Sequence, residues 1–168
     1  MSLKEINPTE LGGNVIDEIS NKWMLLAAGN ESKFNFMTVS WGMMGEIWFE
    51  PAITAYVRES RYTKEFIDSN ELFSMISLKD GYKKALQIAG SKSGRDIDKV
   101  KETGLTPLFI DGVPSFEEAA YTIVCKKMYA DFMPQENFID KQAFKKAYPE
   151  GNLHTMYIGK ILKVYLNK

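Results

Sequence analysis

The 168-residue sequence predicts a mainly β fold, a β-barrel with short helical excursions, on three observations. Short apolar or alternating runs rich in β-branched and aromatic residues recur along the chain. The gaps between the first three such runs are too short for crossover helices, which favours consecutive antiparallel strands. No linker, internal repeat or low-complexity tract divides residues 1–168, so one domain is expected.

The opening strands are WMLLAAG from Trp23, FMTVSW from Phe36 and ITAYVR from Ile53, punctuated by Gly29-Asn30, Gly42, Gly45 and Pro51. The period then changes. SRYTKEFIDSN reads as a helix capped by Ser60, with Phe66 and Ile67 on its apolar side. LFSMISL from Leu72 reads as a strand, and GYKKALQIAG as a helix ending at Gly90. A further helix is expected from Ser93 or Asp96 to Gly104, with Val100 facing inward. TPLFIDGVPSF suggests two short strands around the turn pair Asp111-Gly112. AAYTIVCKKMYADFM from Ala119 is a long strand, and KQAFKKAY from Lys141 a helical insert closed by Pro149 and Gly151. In the last run, HTMYIGKILKVYL, Met156, Ile158, Leu162, Val164 and Leu166 fall on one face at period two, which Lys160 interrupts.

An apolar content of 45% suffices for a core without disulfides. Formal net charge is −1, with acid and base well mixed, which argues against nucleic acid as a partner. No apolar run approaches a membrane span, and the N-terminus lacks the pattern of a secretory signal, so a cytoplasmic protein is expected.

The distribution of arginine is the most informative chemical feature. Arg58, Arg61 and Arg95 are the only arginines, against 18 lysines spread along the chain. They lie in VRESRYTKEF and GSKSGRDIDKV, beside hydroxyls, glycines and expected helix starts. A guanidinium grips phosphate through two bonds where an ammonium is a point charge. With Ser60 as cap, the amides of Arg61, Tyr62 and Thr63 would face an anion at the positive end of the helix. Ser91, Lys92, Ser93 and Gly94 form a second donor-rich loop, which is neither a Walker loop nor a dinucleotide fingerprint. Each segment also suits a solvated, capped surface; their pairing in one small domain favours a phosphate site.

On a strand, Asn35, Met37, Val39 and Trp41 share one face, and Phe36, Thr38 and Ser40 the other. Such an edge would offer backbone groups, an amide and two hydroxyls to a flat heteroaromatic ligand, although Thr38 and Ser40 equally suit an ordinary solvent-facing strand. Conventional catalytic groups are scarce. His154 is the single histidine and Cys125 the single cysteine, so no spaced ligand set for a metal exists. A bound cofactor is then the natural carrier of any redox chemistry.

Taken together, N-F-M-T-V-S-W, V-R-E-S-R-Y-T, S-G-R-D-I-D-K with G-L-T-P, and H-T-M-Y-I-G resemble, in that order, the flavin reductase-like domain family, most of all its flavoredoxin branch. The resemblance implies an FMN-binding split β-barrel of Greek-key type, a homodimer, and electron transfer from NADH or NADPH to flavin or another acceptor. It implies that Asn35, Met37, Thr38, Val39 and Ser40 line the isoalloxazine. Arg58, Ser60, Arg61, Tyr62 and Thr63 would hold the phosphate. Ser91, Lys92, Ser93 and Gly94 would close over it with Arg95, and His154 and Tyr157 would stand near the ring or the substrate entrance. Phe36 departs from the family's small residue and would restrict nicotinamide access if it faced the ring. Two alternatives stand beside this reading. One is a flavoredoxin-like carrier reduced by a redox protein, the other a non-catalytic barrel module binding a phosphate ligand or a partner.

Overall fold

In the computed structural model, which describes residues 2–167, one antiparallel sheet of eight strands forms the frame. In chain order its strands are β1 (Leu3–Ile6), β2 (Met24–Asn30), β3 (Lys33–Val39), β4 (Met44–Ile47), β5 (Glu50–Arg58), β6 (Leu72–Leu78), β9 (Ala119–Phe132) and β10 (His154–Asn167). A separate hairpin is made by β7 (Pro107–Ile110) and β8 (Val113–Phe116). The helices are α1 (Val15–Asp17), α2 (Tyr62–Ser69), α3 (Lys83–Ser91), α4 (Lys99–Thr103) and α5 (Lys141–Ala147). None is long and apolar enough to cross a membrane.

The sheet runs β3-β2-β6-β9-β10-β5-β4, with β1 added alongside the end of β10. It is not closed, so β3 and β4 are free edges. The chain leaves β5, crosses through α2, and enters β6 between β2 and β9, a non-adjacent jump of the Greek-key kind. That jump carries the β5–α2 turn towards the free edge of β3.

Two apolar clusters explain why the early strands are not simply alternating. Leu26, Met37, Val57, Phe73, Ile123 and Tyr157 meet on one side of the sheet. On the other side Leu25, Ala27, Phe36 and Ile76 pack under α3 and against Phe116 of β8. β2 is therefore apolar on both faces, because both are covered. Burying one such side chain contributes about 1.5–3 kcal/mol.

Several expectations need correction. β1 and β4 were not foreseen; Gly45 lies inside β4, and Pro51 inside β5. The β4–β5 turn places Trp48 (φ 55°) and Phe49 (φ 62°) in the left-handed region without a glycine, which hid it from turn chemistry. The last strand does not keep one period-two face. Register shifts against β9 at Ile158/Gly159 and Ile161/Lys163 bring Tyr157, Ile161 and Val164 into the core and leave Leu162 exposed. Lys160 interrupts nothing: it faces outward and pairs with Glu50 at 2.6 Å. Gly159 is required there, since a Cβ would stand 2.5 Å from Phe73 Cζ. Finally, α4 begins at Lys99, capped by Asp98, later than the sequence suggested, and ends as expected at Gly104, with Val100 packed against the second cluster.

Candidate functional site

Arg61 rather than Ser60 is the N-cap of α2, in extended conformation and with no side-chain capping bond. The Ser60 hydroxyl instead accepts from Asn152 Nδ2 at 2.7 Å, tying this turn to the segment before β10. The Arg61 amide is not free either, because it donates to Arg58 O at 2.9 Å. The first-turn amides of Tyr62 and Thr63 remain, and α2 is long enough for them to carry the positive end of its dipole.

Two adjoining cavities lie along this turn. The larger, about 450 Å³, is walled by Ser60, Arg61, Tyr62 and Thr63 from the head of α2 and by Ser91, Lys92, Ser93, Asp96 and Lys99 from the end of α3 to the start of α4. Asn152 closes one side. The smaller, about 210 Å³, is walled by Met37, Thr38, Val39, Ser40 and Trp41, then by Tyr56 and His154. Met37, Arg58 and Arg61 belong to both walls, so the two form one groove with a cationic middle.

The arginines differ sharply in what they already bind. Arg58 donates to Asn152 O at 3.1 Å and Ala147 O at 3.4 Å, and its guanidinium lies 5.6 Å from the Tyr148 ring centroid. It thus fastens the end of α5 and the following loop across the site. Arg95 pairs with Glu65, donates to Ser60 O and covers Tyr62 from the outside, and it lines neither cavity. Arg61 has no hydrogen-bond or ion-pair partner for its guanidinium among the described residues. Burial, then the charge of Arg58, lowers its pKa below the usual arginine value. A half-buried guanidinium without a counter-charge is the group an anion would satisfy.

The wall of the smaller cavity uses the free edge of β3. Phe36 O points off that edge, because it accepts from Lys99 Nζ at 2.7 Å. By the alternation of an antiparallel strand, the N–H and C=O of Thr38 point the same way, into the groove. The Thr38 hydroxyl is committed to Leu86 O at 2.5 Å, so backbone rather than side chain is what Thr38 offers. Met37 and Val39 contribute apolar surface from the core face.

His154 begins β10 opposite Arg58. Its Nδ1 is bonded to Tyr148 Oη at 2.8 Å, and its ring lies 5.1 Å from that of Trp41. Burial, then Arg58 and Arg61, push its pKa down to about 4, so the imidazole is neutral at pH 7.

Asn35 and Gly94 stand just behind the groove, lining a neighbouring hollow of about 330 Å³. Asn35 Nδ2 donates to Thr63 Oγ1 at 2.9 Å, and a Cβ on Gly94 would overlap Asn35 Oδ1. They brace the site rather than line it. Tyr157 is not brought there: it is fully buried in the first cluster, with its hydroxyl donating to Asp68. Phe36 faces away from the groove and packs edge-on against Phe116 at 4.8 Å, so it bars no access from the ring side. Cys125 is buried at the core, where burial pushes its thiol up, and His154 is paired with Tyr148 instead of with it.

Sequence reasoning missed Lys99, Asp96 and Asn152 in the larger cavity, and Tyr56 and Trp41 in the smaller. Lys99 ends the S-G-R-D-I-D-K segment, yet its distance from the serines gave no hint that it turns back to them.

The family model described as "Flavin reductase like domain" matches residues 16–168. Among solved structures, the chain is similar to flavoredoxin from Methanosarcina acetivorans (TM-score 0.68, 21% identity, 86% of this chain and 68% of that one). It is similar to an FMN-binding protein from Thermus thermophilus with bound 1-cyclohex-2-enone (TM-score 0.68, 17% identity, 96% and 81%). It is also similar to the NADH:FAD oxidoreductase SgcE6 from Streptomyces globisporus C-1027 (TM-score 0.63, 14% identity, 85% and 74%). Among curated proteins none matches significantly.

Proposed function

The chain belongs to the flavin reductase-like domain family, and from that premise we propose that it is an FMN-binding oxidoreductase that passes electrons from NADH or NADPH to flavin or a downstream acceptor. The observation that carries the proposal is Arg61, a half-buried cation whose guanidinium has no partner among the described residues, standing where a donor-lined cavity meets a strand-edge slot.

The residues fit the group. Arg61, the amides of Tyr62 and Thr63, and the Ser93 hydroxyl, which accepts from the Arg95 amide and keeps its own proton, would hold a phosphate; the Ser91 hydroxyl is committed to Gln87 O at 2.7 Å. The Thr38 edge and the apolar surface of Met37 and Val39 would hold the ring. Bound FMN supplies the hydride and electron chemistry. The protein's own part is orientation and electrostatics. Neutral His154, fixed through Nδ1 by Tyr148, presents its other nitrogen without adding charge. Arg58 closes the α5 loop and limits water at the ring end. The homodimer belongs to the same proposal. Exposed Trp48, Phe49 and Tyr129 give it an apolar surface, and sedimentation of Phe49→Asp would report its loss.

A second reading rests on the ring-side cavity, which is small and carries Trp41 beside His154. Little room beside the ring for a nicotinamide favours an electron carrier reduced by a redox protein. The test is a visible absorption spectrum of the purified protein, before and after FMN is added and excess removed. Retained flavin absorbance supports the binding, and a colourless protein that refuses FMN sinks it in favour of a phosphate-binding or partner-binding module. Anaerobic mixing then separates the two donors: bleaching by NADH or NADPH selects the reductase, and bleaching only by a reduced ferredoxin-type protein selects the carrier.

A further inference from the structure

Lys99 is the most buried charged side chain bordering the groove, at 6% exposure. It begins α4, and its Nζ reaches both β3 and α3. Nζ donates to Phe36 O of β3 at 2.7 Å and to Ala89 O in the last turn of α3 at 2.9 Å. Both acceptors are neutral, and among the described residues Lys99 has no ion pair. An ammonium has three N–H donors, so one has no acceptor among the described residues, and Lys99 lines both the cavity of Ser91, Ser93 and Arg61 and the neighbouring hollow of Asn35.

A buried cation held by carbonyls alone is costly unless something anionic completes it. The charged groups around it do not do so. Arg61 at the head of α2 repels it; Lys92 adds like charge from the loop; Asp98 accepts from the Lys101 amide; and Asp96 lies on the cavity wall out of salt-bridge range. Tyr62 from α2, and Glu31 and Lys33 from the β2–β3 turn and the start of β3, line the hollow on its other side, and among the described residues none of them is paired with it. A merely structural strap between β3 and α3 would be served as well by a neutral donor.

We propose that Lys99 is a phosphate-recognising cation at the back of the groove, which completes the site for a phosphorylated ligand and fixes the β3 edge that receives the rest of that ligand. The proposal rests on the FMN reading and adds to it a residue and a coupling. An anion drawn to Nζ strengthens the charged form, and the charged form holds Phe36 O, two residues before the Thr38 edge. Phosphate binding and the shape of the ring-side slot are thereby linked through one side chain. Burial, then Arg61, lowers the Lys99 pKa to about 8, so an anion that completes it draws in a proton just above neutrality.

The experiment compares FMN with riboflavin on the wild type, Lys99→Met and Lys99→Gln, the latter keeping an N–H donor without charge. Loss of one charge-assisted bond predicts FMN affinity falling about ten- to a hundredfold in both variants; riboflavin affinity should change less than about threefold in Lys99→Gln, which keeps an N–H donor, and fall further, though less than FMN, in Lys99→Met, which frees Phe36 O. Equal losses for both flavins would reduce Lys99 to a strap and overturn the proposal. Should both variants fail to fold, calorimetry on the wild type at pH 8.5 in buffers of different ionisation heat decides. Proton uptake with FMN but not riboflavin supports the proposal, and uptake with neither overturns it. Inorganic phosphate separates the two levels of the argument. Thermal protection by phosphate that Lys99→Met abolishes, in a protein that refuses FMN, would remove the flavin reading and keep the anion site. No protection of a wild type that also refuses FMN would remove both.

Discussion

Arg58 and His154 face each other across the β5–β10 register, and both side chains line the ring-side cavity. The pairing places a permanent cation beside an imidazole that burial already keeps neutral. It also puts the residue that fastens the α5 loop next to the residue that loop anchors through Tyr148. One cross-strand pair therefore sets both the charge and the cover of that end of the groove.

The arginines should separate on mutation. Arg61→Ala removes the uncommitted guanidinium and should weaken FMN about ten- to a hundredfold while leaving riboflavin nearly unchanged. Arg58→Ala should weaken both flavins and speed proteolysis within 133–153, because it frees the Ala147 and Asn152 carbonyls. Flavin titrations with limited proteolysis check this, and identical profiles for the two variants would contradict the division of roles.

His154 makes a pH prediction. Its pKa falls from 6.5 to about 4 on folding, so the unfolded chain binds the extra proton first as pH drops. Its contribution is whole above pH 6.5 and is lost as pH falls towards 4. Melting temperatures across that window should decline for the wild type and decline less for His154→Gln. Parallel curves would show that the histidine does not carry the effect.

Gly94 is predicted to be intolerant of a side chain. Gly94→Ala would press on Asn35, whose amide braces Thr63 at the head of α2. A loss of about 1–3 kcal/mol in stability is expected, with weaker FMN binding. Urea unfolding measures it, and a neutral result would mean that the loop yields without cost.

The β4–β5 turn should accept improvement. In the protomer dissociated by dilution, Phe49→Gly relieves a left-handed residue that is 97% exposed, so unfolding should become harder by about 1 kcal/mol, a few degrees in Tm. A lower Tm would show that this aromatic tip is itself engaged in packing, as in an assembly that survives dilution.

Much of this was legible because it is local. Apolar runs marked β2, β5, β6 and β9; Asp111-Gly112 marked the small hairpin; and Gly104 ended α4 with ordinary cap chemistry. The arginine–serine segment pointed to an anion because guanidinium chemistry is a property of the residue, wherever it folds. What stayed hidden depends on atoms distant in the chain. The bulges of β10 reassign a face through pairing with β9, and no period reveals them. The choice of Arg61 over Arg58 as the uncommitted cation hangs on two carbonyls 89 and 94 residues away. Lys99 reaches Phe36 across 63 residues. Residue chemistry and short-range pattern alone determined the family and the strand-rich frame. The tertiary structure alone decided which cations remain unsatisfied, because satisfaction is settled by partners that only folding brings within hydrogen-bond range.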